Sequence, residues 1–300
     1  MKRIIIIDCC AANIVFPTGQ DEFPVPTNAL MSGRLVPAAM LLGMAGRQVT
    51  VMGEAGRDPL GDMLVEKIER ANVDISCIDR YSDGSATPCT LVFAGTQGHP
   101  ESVVYHLPMS EQWDSKWPMI DAQDVVLFGG YFALQQRVRG RLTEFLTMAR
   151  DRGALLVYLP GFNPRLEPAI TRVMPYVLEN LEMAHAVITA TPDLKHVFGT
   201  DDPRGCYDNK VCFYSSLMVN IAPTDRLLSL MQGPNTIERQ LPAVSTVDGV
   251  LPSALQPAMF IDALQQLGIS AQNVDRLSLP TLNTLADLTA MTSLSSFITL

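Results

Sequence analysis

The chain has 300 residues, 47% of them hydrophobic, with 22 Lys and Arg against 31 Asp and Glu and a net charge of −9. That composition is ordinary for a compact globular protein, gives no support to a disordered one, and leaves no broad basic field with which to gather the phosphates of a nucleic acid. The six cysteines, Cys9, Cys10, Cys77, Cys89, Cys206 and Cys212, include no close C-x-x-C pair, so the sequence predicts free thiols in a reducing cytoplasm rather than structural zinc.

The opening MKRIIIIDCC carries an apolar run, Ile4 to Ile7, that stops at Asp8. The run is too short for a membrane span and no small-residue cleavage pattern follows, which predicts a buried strand and no membrane partner. A polar, proline-containing stretch continues through Pro26 and reads as a strand-rich excursion. Leu35 to Ala45 broadens into a helix with Pro37 in its first turn, closed by Gly46. Val49 to Met52 is the next strand, GEAGRDPLG a loop, and the helix beginning near Pro59 repeats Leu60, Leu64 and Ile68 along one face. Two short β-like runs, Thr90 to Phe93 and Ser102 to Tyr105, flank a polar segment and predict a hairpin. Strands over Asp124 to Phe128, Leu155 to Tyr158, Ala186 to Ile188 and Ser216 to Ile221 then alternate with helices over Val138 to Arg152 and Val173 to Leu181. Such alternation predicts an α/β protein with a mostly parallel sheet covered by helices.

Within this pattern Gly53-Glu54-Ala55-Gly56-Arg57-Asp58-Pro59-Leu60-Gly61 resembles the G-x-x-G-x-D-x-x-G phrase of the phosphofructokinase B, or ribokinase-like, sugar and nucleoside kinases. Ser32-Gly33 resembles the diglycine before that family's substrate-contacting helix, and Leu127-Phe128-Gly129-Gly130-Tyr131 the strand end that carries a glycine near the sugar. The resemblance runs over residues 4–265. It implies one ribokinase-like domain over 1–300, a three-layer α/β/α sandwich with a mostly parallel central sheet, and a small β lid drawn from residues 9–34 and 86–108. It further implies transfer of the γ-phosphoryl group of Mg-ATP to a hydroxyl of a sugar or nucleoside.

Several positions depart from the family pattern. Val247-Asp248-Gly249-Val250-Leu251-Pro252-Ser253-Ala254 aligns with V-D-T-T-G-A-G-D, which puts Leu251 and Ser253 at the anion-hole glycines, Pro252 between them, and Ala254 at the catalytic acid. A two-step slide keeps Gly249 but places Pro252 at the base, so neither register supplies a carboxylate. An alanine cannot accept a proton, and Pro252 removes a backbone donor from the region meant to surround phosphate oxygens. Asn220-Ile221-Ala222-Pro223 stands where T-L-G precedes a nucleotide loop, and Ala190-Thr191-Pro192-Asp193 where N-x-x-E assists the metal, leaving Asp193 as the one carboxylate for Mg2+.

On the substrate side Asn13 replaces the aspartate that grips sugar hydroxyls, and Pro37 replaces an asparagine. Gly33, Arg34, and Asn163 in the D-P-N-x-R-like Pro160-Gly161-Phe162-Asn163-Pro164-Arg165 complete the substrate-binding candidates. Asp58 reads as the cap of the helix beside Pro59 or as a ligand contact, and Gly53, Gly56 and Gly61 as glycines that permit a tight strand-to-helix passage or contact a ligand directly. The four histidines, His99, His106, His185 and His196, have no metal-helix spacing.

These departures lead to the expectation of lost or greatly reduced phosphotransfer, a pseudokinase that binds or senses a small polar metabolite, with the nucleotide half of its cleft more eroded than the metabolite half. The alternative is an active divergent carbohydrate or nucleoside kinase that uses ATP and Mg2+, with Asp248 as a migrated base. The lid also suggests a homodimer through the segments Ile14 to Phe16, Leu91 to Phe93 and Val103 to Tyr105, which would protect exposed strand edges.

Overall fold

A computed structural model describes residues 2–16, 27–82, 84–93, 101–106, 113–243 and 252–290, with the backbone alone for 101–106 and 252. The run Ile4 to Ile7 forms the middle of the molecule. It lies in β1 (Ile4–Cys9), paired in parallel with β4 (Val49–Ala55) on one side and β8 (Val125–Gly129) on the other. Successive side chains of a strand point to opposite faces, so Ile4 and Ile6 enter one hydrophobic core while Ile5 and Ile7 enter a second. All four are at most 1% exposed, which accounts for an unbroken apolar run where a one-sided sheet would alternate. Each contributes roughly 2 kcal/mol of burial.

Beyond β4 lies β5 (Val73–Arg80), and beyond β8 follow β9 (Leu155–Leu159), β10 (Ala186–Ala190) and β11 (Leu217–Ala222), all parallel. An antiparallel hairpin, β12 (Leu227–Gln232) and β13 (Asn235–Gln240), closes that edge, giving the order β13-β12-β11-β10-β9-β8-β1-β4-β5. Its two-residue turn has Gly233 at φ 52°, the left-handed conformation such turns require.

One face carries α1 (Leu35–Met44), α2 (Pro59–Arg70), α7 (Leu255–Gln266) and α8 (Leu279–Ala290); the other carries α3 (Gln136–Asp151), α4 (Ile170–Met183) and α6 (Pro203–Asn209), and a single turn, α5 (Thr191–Asp193), follows β10. Pro37 sits in the first turn of α1, where its missing N–H costs nothing. Helix α1 is buried on every side because it packs against β1, β4 and α7 together. In α2, Leu64 and Ile68 are buried and Leu60 is partly so, the stripe the spacing predicts.

A second, four-stranded sheet has the order β3-β2-β6-β7 and comprises β2 (Ala12–Phe16), β3 (Asn28–Met31), β6 (Cys89–Phe93) and β7 (Glu101–His106). Strands β6 and β7 form the antiparallel hairpin expected from the sequence, and β2 joins β6 in parallel. The hairpin β12–β13 and helix α8 had no counterpart in the sequence reading. Among the described residues no helix is long and apolar enough to cross a membrane.

Candidate active site

Chain order reverses at β1. From it the chain runs outward through β4 and β5, then returns to β8 on the other side. Strand ends on either side of such a switch point diverge and open a crevice beyond their carboxyl ends. A cleft of about 970 Å³ lies there, lined by Asp8 and Cys9 from the end of β1, Gly130 after β8, Leu159 from β9, Ala190 from β10 and Pro223 after β11. The small sheet borders it with Asn13, Cys89, Thr90 and Val92.

The structure brings most of the substrate-side candidates together. Asn13, Gly33, Arg34, Asn163 and Asp193 all line this cleft, although Arg34 and Asp193 are 159 residues apart in the chain. Gly33 has φ 77°, a conformation that turns the chain from β3 into α1 and brings Arg34 to the cleft. Arg34 donates from Nη2 to Asp193 Oδ2 at 2.7 Å, and the Ala190 N–H donates to the same oxygen at 2.9 Å. Asp193, the carboxylate expected near a metal, is thus engaged by an arginine and a strand end, buried to 2% exposure. Asn163 is exposed and its Oδ1 accepts from the Arg165 N–H at 3.0 Å, which fixes the turn after β9.

On the phosphate side, Ser253 lines the same cleft and Ala254, fully buried, caps α7 without a side-chain hydrogen bond. No acidic residue stands in the first turn of α7. Pro252 begins the short 3-10 turn that leads into that helix. Leu251 and Asp248 lie outside the described residues, as does His99. Thr224 and Pro223 reach the cleft from a tight turn between β11 and β12, in which Arg226 takes φ 51°.

The glycine phrase of the β4–α2 passage has a packing explanation. A Cβ on Gly53 would stand 1.7 Å from the Asp8 carbonyl oxygen, one on Gly56 2.3 Å from Thr87 Oγ1, and one on Gly61 2.2 Å from the Gly56 oxygen. Asp58 caps α2, accepting from the Gly61 N–H at 2.7 Å, and it also accepts from the Thr87 N–H at 2.6 Å and hydroxyl at 2.7 Å. Burial works to raise its pKa, but the Thr87 and Gly61 hydrogen bonds with the Arg80 charge outweigh it and hold the carboxyl below the usual range.

Sequence reasoning missed Asp8, which it read only as the residue that stops an apolar run. It is 8% exposed on the cleft floor. Burial, with the Glu54 charge adding to it, raises its carboxyl to about 7 against the lowering effects of the Cys9 N–H and Arg34. Beside it Cys9 lines the cleft and Cys10 is fully buried; burial pushes both thiols up, Cys10 to about 12, so neither is a ready nucleophile. His196 also lines the cleft, whereas the His185 Nδ1 accepts the Leu156 N–H at 3.0 Å at the amino end of β9.

A mostly parallel sheet between helix layers, with a small sheet beside a polar cleft at its switch point, defines a ribokinase-like fold. The family model of the pfkB carbohydrate kinases matches residues 37–209, more than half of the chain, and the chain belongs to that family. Among solved structures it is similar to a fructokinase from Xylella fastidiosa, at 15% identity and a TM-score of 0.78 over 99% of this chain and 98% of that one. It is similar also to aminoimidazole riboside kinase from Salmonella enterica, complexed with aminoimidazole riboside and an ATP analog, at 11% identity, a TM-score of 0.77 and coverage of 99% and 100%. A fructokinase double mutant from Vibrio cholerae, bound to fructose, ADP and potassium ion, aligns at 13% identity with a TM-score of 0.77 over 99% and 97%. No curated protein matches the sequence.

Proposed function

We propose that this chain is a working, divergent kinase that transfers the γ-phosphoryl group of ATP to a hydroxyl of a sugar or nucleoside, acting as a single domain with the four-stranded sheet as its lid. The observation that carries the reading is the cleft itself: it opens at the switch point, is lined by Asp8, Asn13 and Arg34 together, and reaches the turn before α7 at Ser253. Its volume suits a small polar ligand. Phosphoryl transfer asks mainly for positioning and charge stabilisation, so a cleft that orients the acceptor retains much of what the reaction needs.

ATP and Mg2+ enter with that reading. Among the described residues no group of three or more His, Cys, Asp or Glu could hold a metal, and Asp193 is already bound by Arg34. The described residues therefore do not fit a protein-built Mg2+ cage.

Incubation with Mg-ATP and D-fructose, D-ribose or adenosine, with ADP release followed by mass spectrometry of the product, tests the proposal. Stoichiometric formation of ADP and one phosphorylated acceptor is expected. Binding of an acceptor with no phosphorylated product would contradict it and favour the second reading, a metabolite-binding protein without phosphotransfer, for which the buried Ala254 at the start of α7 is the specific support. With activity present, Asp248→Ala should lower kcat by about 10²- to 10⁴-fold if Asp248 serves as base.

Pairing of two copies through the small sheet also belongs to the proposal. Phe16 stacks on Phe93 at 4.7 Å between ring centroids, and Phe93 remains 42% exposed at that sheet. Light scattering of a dimer that becomes monomeric in Phe93→Asp supports it; a monomer at all concentrations contradicts it.

A further inference from the structure

A carboxylate buried without a partner is costly, and a fold that keeps one in a cleft needs a reason outside its own stability. Asp8 is such a group. It is 92% buried, since 8% of its surface is exposed, and its one hydrogen bond among the described residues is the Cys9 N–H to Oδ1 at 2.9 Å. Oδ2 has no hydrogen-bond partner among those residues and belongs to the cleft floor.

The space above that carboxyl is kept clear by two glycines. A Cβ at Gly33 would stand 3.4 Å from Oδ2, and one at Gly130 3.4 Å from Oδ1 and 3.6 Å from Oδ2. Both glycines have positive φ, 77° and 61°, so a side chain there would be strained as well as obstructive. Arg34, the cation closest in role, gives its Nη2 to Asp193. Its charge offsets the burial of Asp8 only in part, with no hydrogen bond between the two; Glu54, from β4, adds negative charge, and Arg137, from α3, is committed to Glu54.

We propose that Asp8 determines which acceptor this cleft takes, its open carboxyl oxygen receiving hydrogen bonds from adjacent ring hydroxyls of a furanose, whether a free sugar or the ribose of a nucleoside. The inference rests on the kinase reading for the class of acceptor, and on the unpartnered oxygen and its two glycine walls for the contact. An ionised carboxylate accepts two such donors at once, and charge-assisted bonds of this kind in a buried site are stronger than neutral ones. Ligand affinity then rises with pH as Asp8 ionises, because only the carboxylate accepts both donors.

Calorimetric titration of D-fructose, D-ribose and adenosine, with 2-deoxy-D-ribose and 2′-deoxyadenosine as counterparts lacking one hydroxyl, tests this at pH 6 and pH 8.5. The wild type, Asp8→Asn and Asp8→Ala are compared, with circular dichroism to establish that each variant is folded. For the compound bound most tightly, affinity should rise about ten-fold from pH 6 to 8.5 and fall by about ten-fold or more in both variants at pH 8.5, with the pH dependence gone. The deoxy counterpart should lose a similar factor in the wild type and little more in Asp8→Ala. A preference for adenosine over D-ribose assigns the diol to a nucleoside, and the reverse to a free sugar. Unchanged affinity in both variants, or a pH dependence that survives in Asp8→Asn and so belongs to His196 or another group, overturns the proposal while leaving the kinase reading standing. Asp8-dependent binding without phosphoryl transfer overturns the kinase reading alone, and failure of every compound to bind overturns both.

Discussion

Two carboxylates stand side by side at the carboxyl edge of the central sheet, and their surroundings could hardly differ more. Glu54, opposite Cys9 in the β1–β4 register, has a side chain with no exposed surface and is gripped by Arg137 through both carboxyl oxygens, with the Tyr81 hydroxyl donating to Oε1 at 3.2 Å. Asp8, one residue back and opposite Gly53, is nearly as buried yet holds one local N–H. The first is a closed ion pair that ties α3 to the sheet. The second has been left open toward the cleft, and its raised pKa records the cost of doing so. Stability and ligand recognition have thus been assigned to adjacent strands of one sheet edge.

The sharpest way to break this contrast is to open the closed pair. Arg137→Met leaves Glu54 buried without its cation and should lower unfolding stability by about 3–5 kcal/mol in urea denaturation at pH 7.5. Adding Glu54→Leu should return most of that loss, since an apolar pair of similar volume replaces the ions. A loss under about 1 kcal/mol in the single variant would show that the pair is incidental.

Asp8 should behave in the opposite sense. Its folded pKa of about 7 lies above the unfolded 3.8, so the folded state holds a proton that the unfolded state gives up as pH rises from about 4, and stability falls until the folded carboxyl also ionises. Asp8→Asn removes that penalty. The variant should match the wild type near pH 4 and exceed it by roughly 2–4 kcal/mol at pH 8.5, even as ligand binding weakens. A variant destabilised at pH 8.5 would mean that Asp8 holds the fold together.

His185 supplies the smallest effect and a control remote from the cleft floor. Burial lowers its pKa, with Arg150 adding to that and Asp275 opposing it, and its Nδ1 must stay unprotonated to accept the Leu156 N–H. Its contribution is present above the unfolded value of 6.5 and is lost as pH falls through the lower folded value. His185→Gln, which cannot charge, should flatten the acid side of the stability profile without altering the rise expected of Asp8→Asn at pH 8.5. An unchanged acid limb would remove His185 from the account.

Much of the fold was legible because single elements carried it. Ile4 to Ile7 read as a buried strand, and Gly53, Gly56 and Gly61 marked the β4–α2 passage before the reason, a carbonyl or hydroxyl within 2.3 Å of each missing Cβ, was visible. The hairpin β12–β13 was missed although Gly233-Pro234 offered a turn signal, because only its first strand is apolar and the second, Asn235 to Gln240, has Ile237 as its one apolar residue. The site was legible only in part. Asn13, Gly33, Arg34, Asn163 and Asp193 did converge, but the ion pair between Arg34 and Asp193 joins residues too distant in the chain for any local pattern to report. Asp8 was hidden for another reason: an acid that ends an apolar run looks like the end of burial, and here the run ends in a buried cleft instead.

The measurement that bears most directly on this contrast is a carbon-detected NMR titration of the Asp8 carboxyl, assigned by its loss in Asp8→Asn, in the free protein and at saturation with the tightest-binding furanose or nucleoside. The account predicts a midpoint of about 7 in the free protein, moving downward when ring hydroxyls fill the open oxygen. A midpoint near the ordinary carboxylate value, or one that ligand leaves in place, would contradict it.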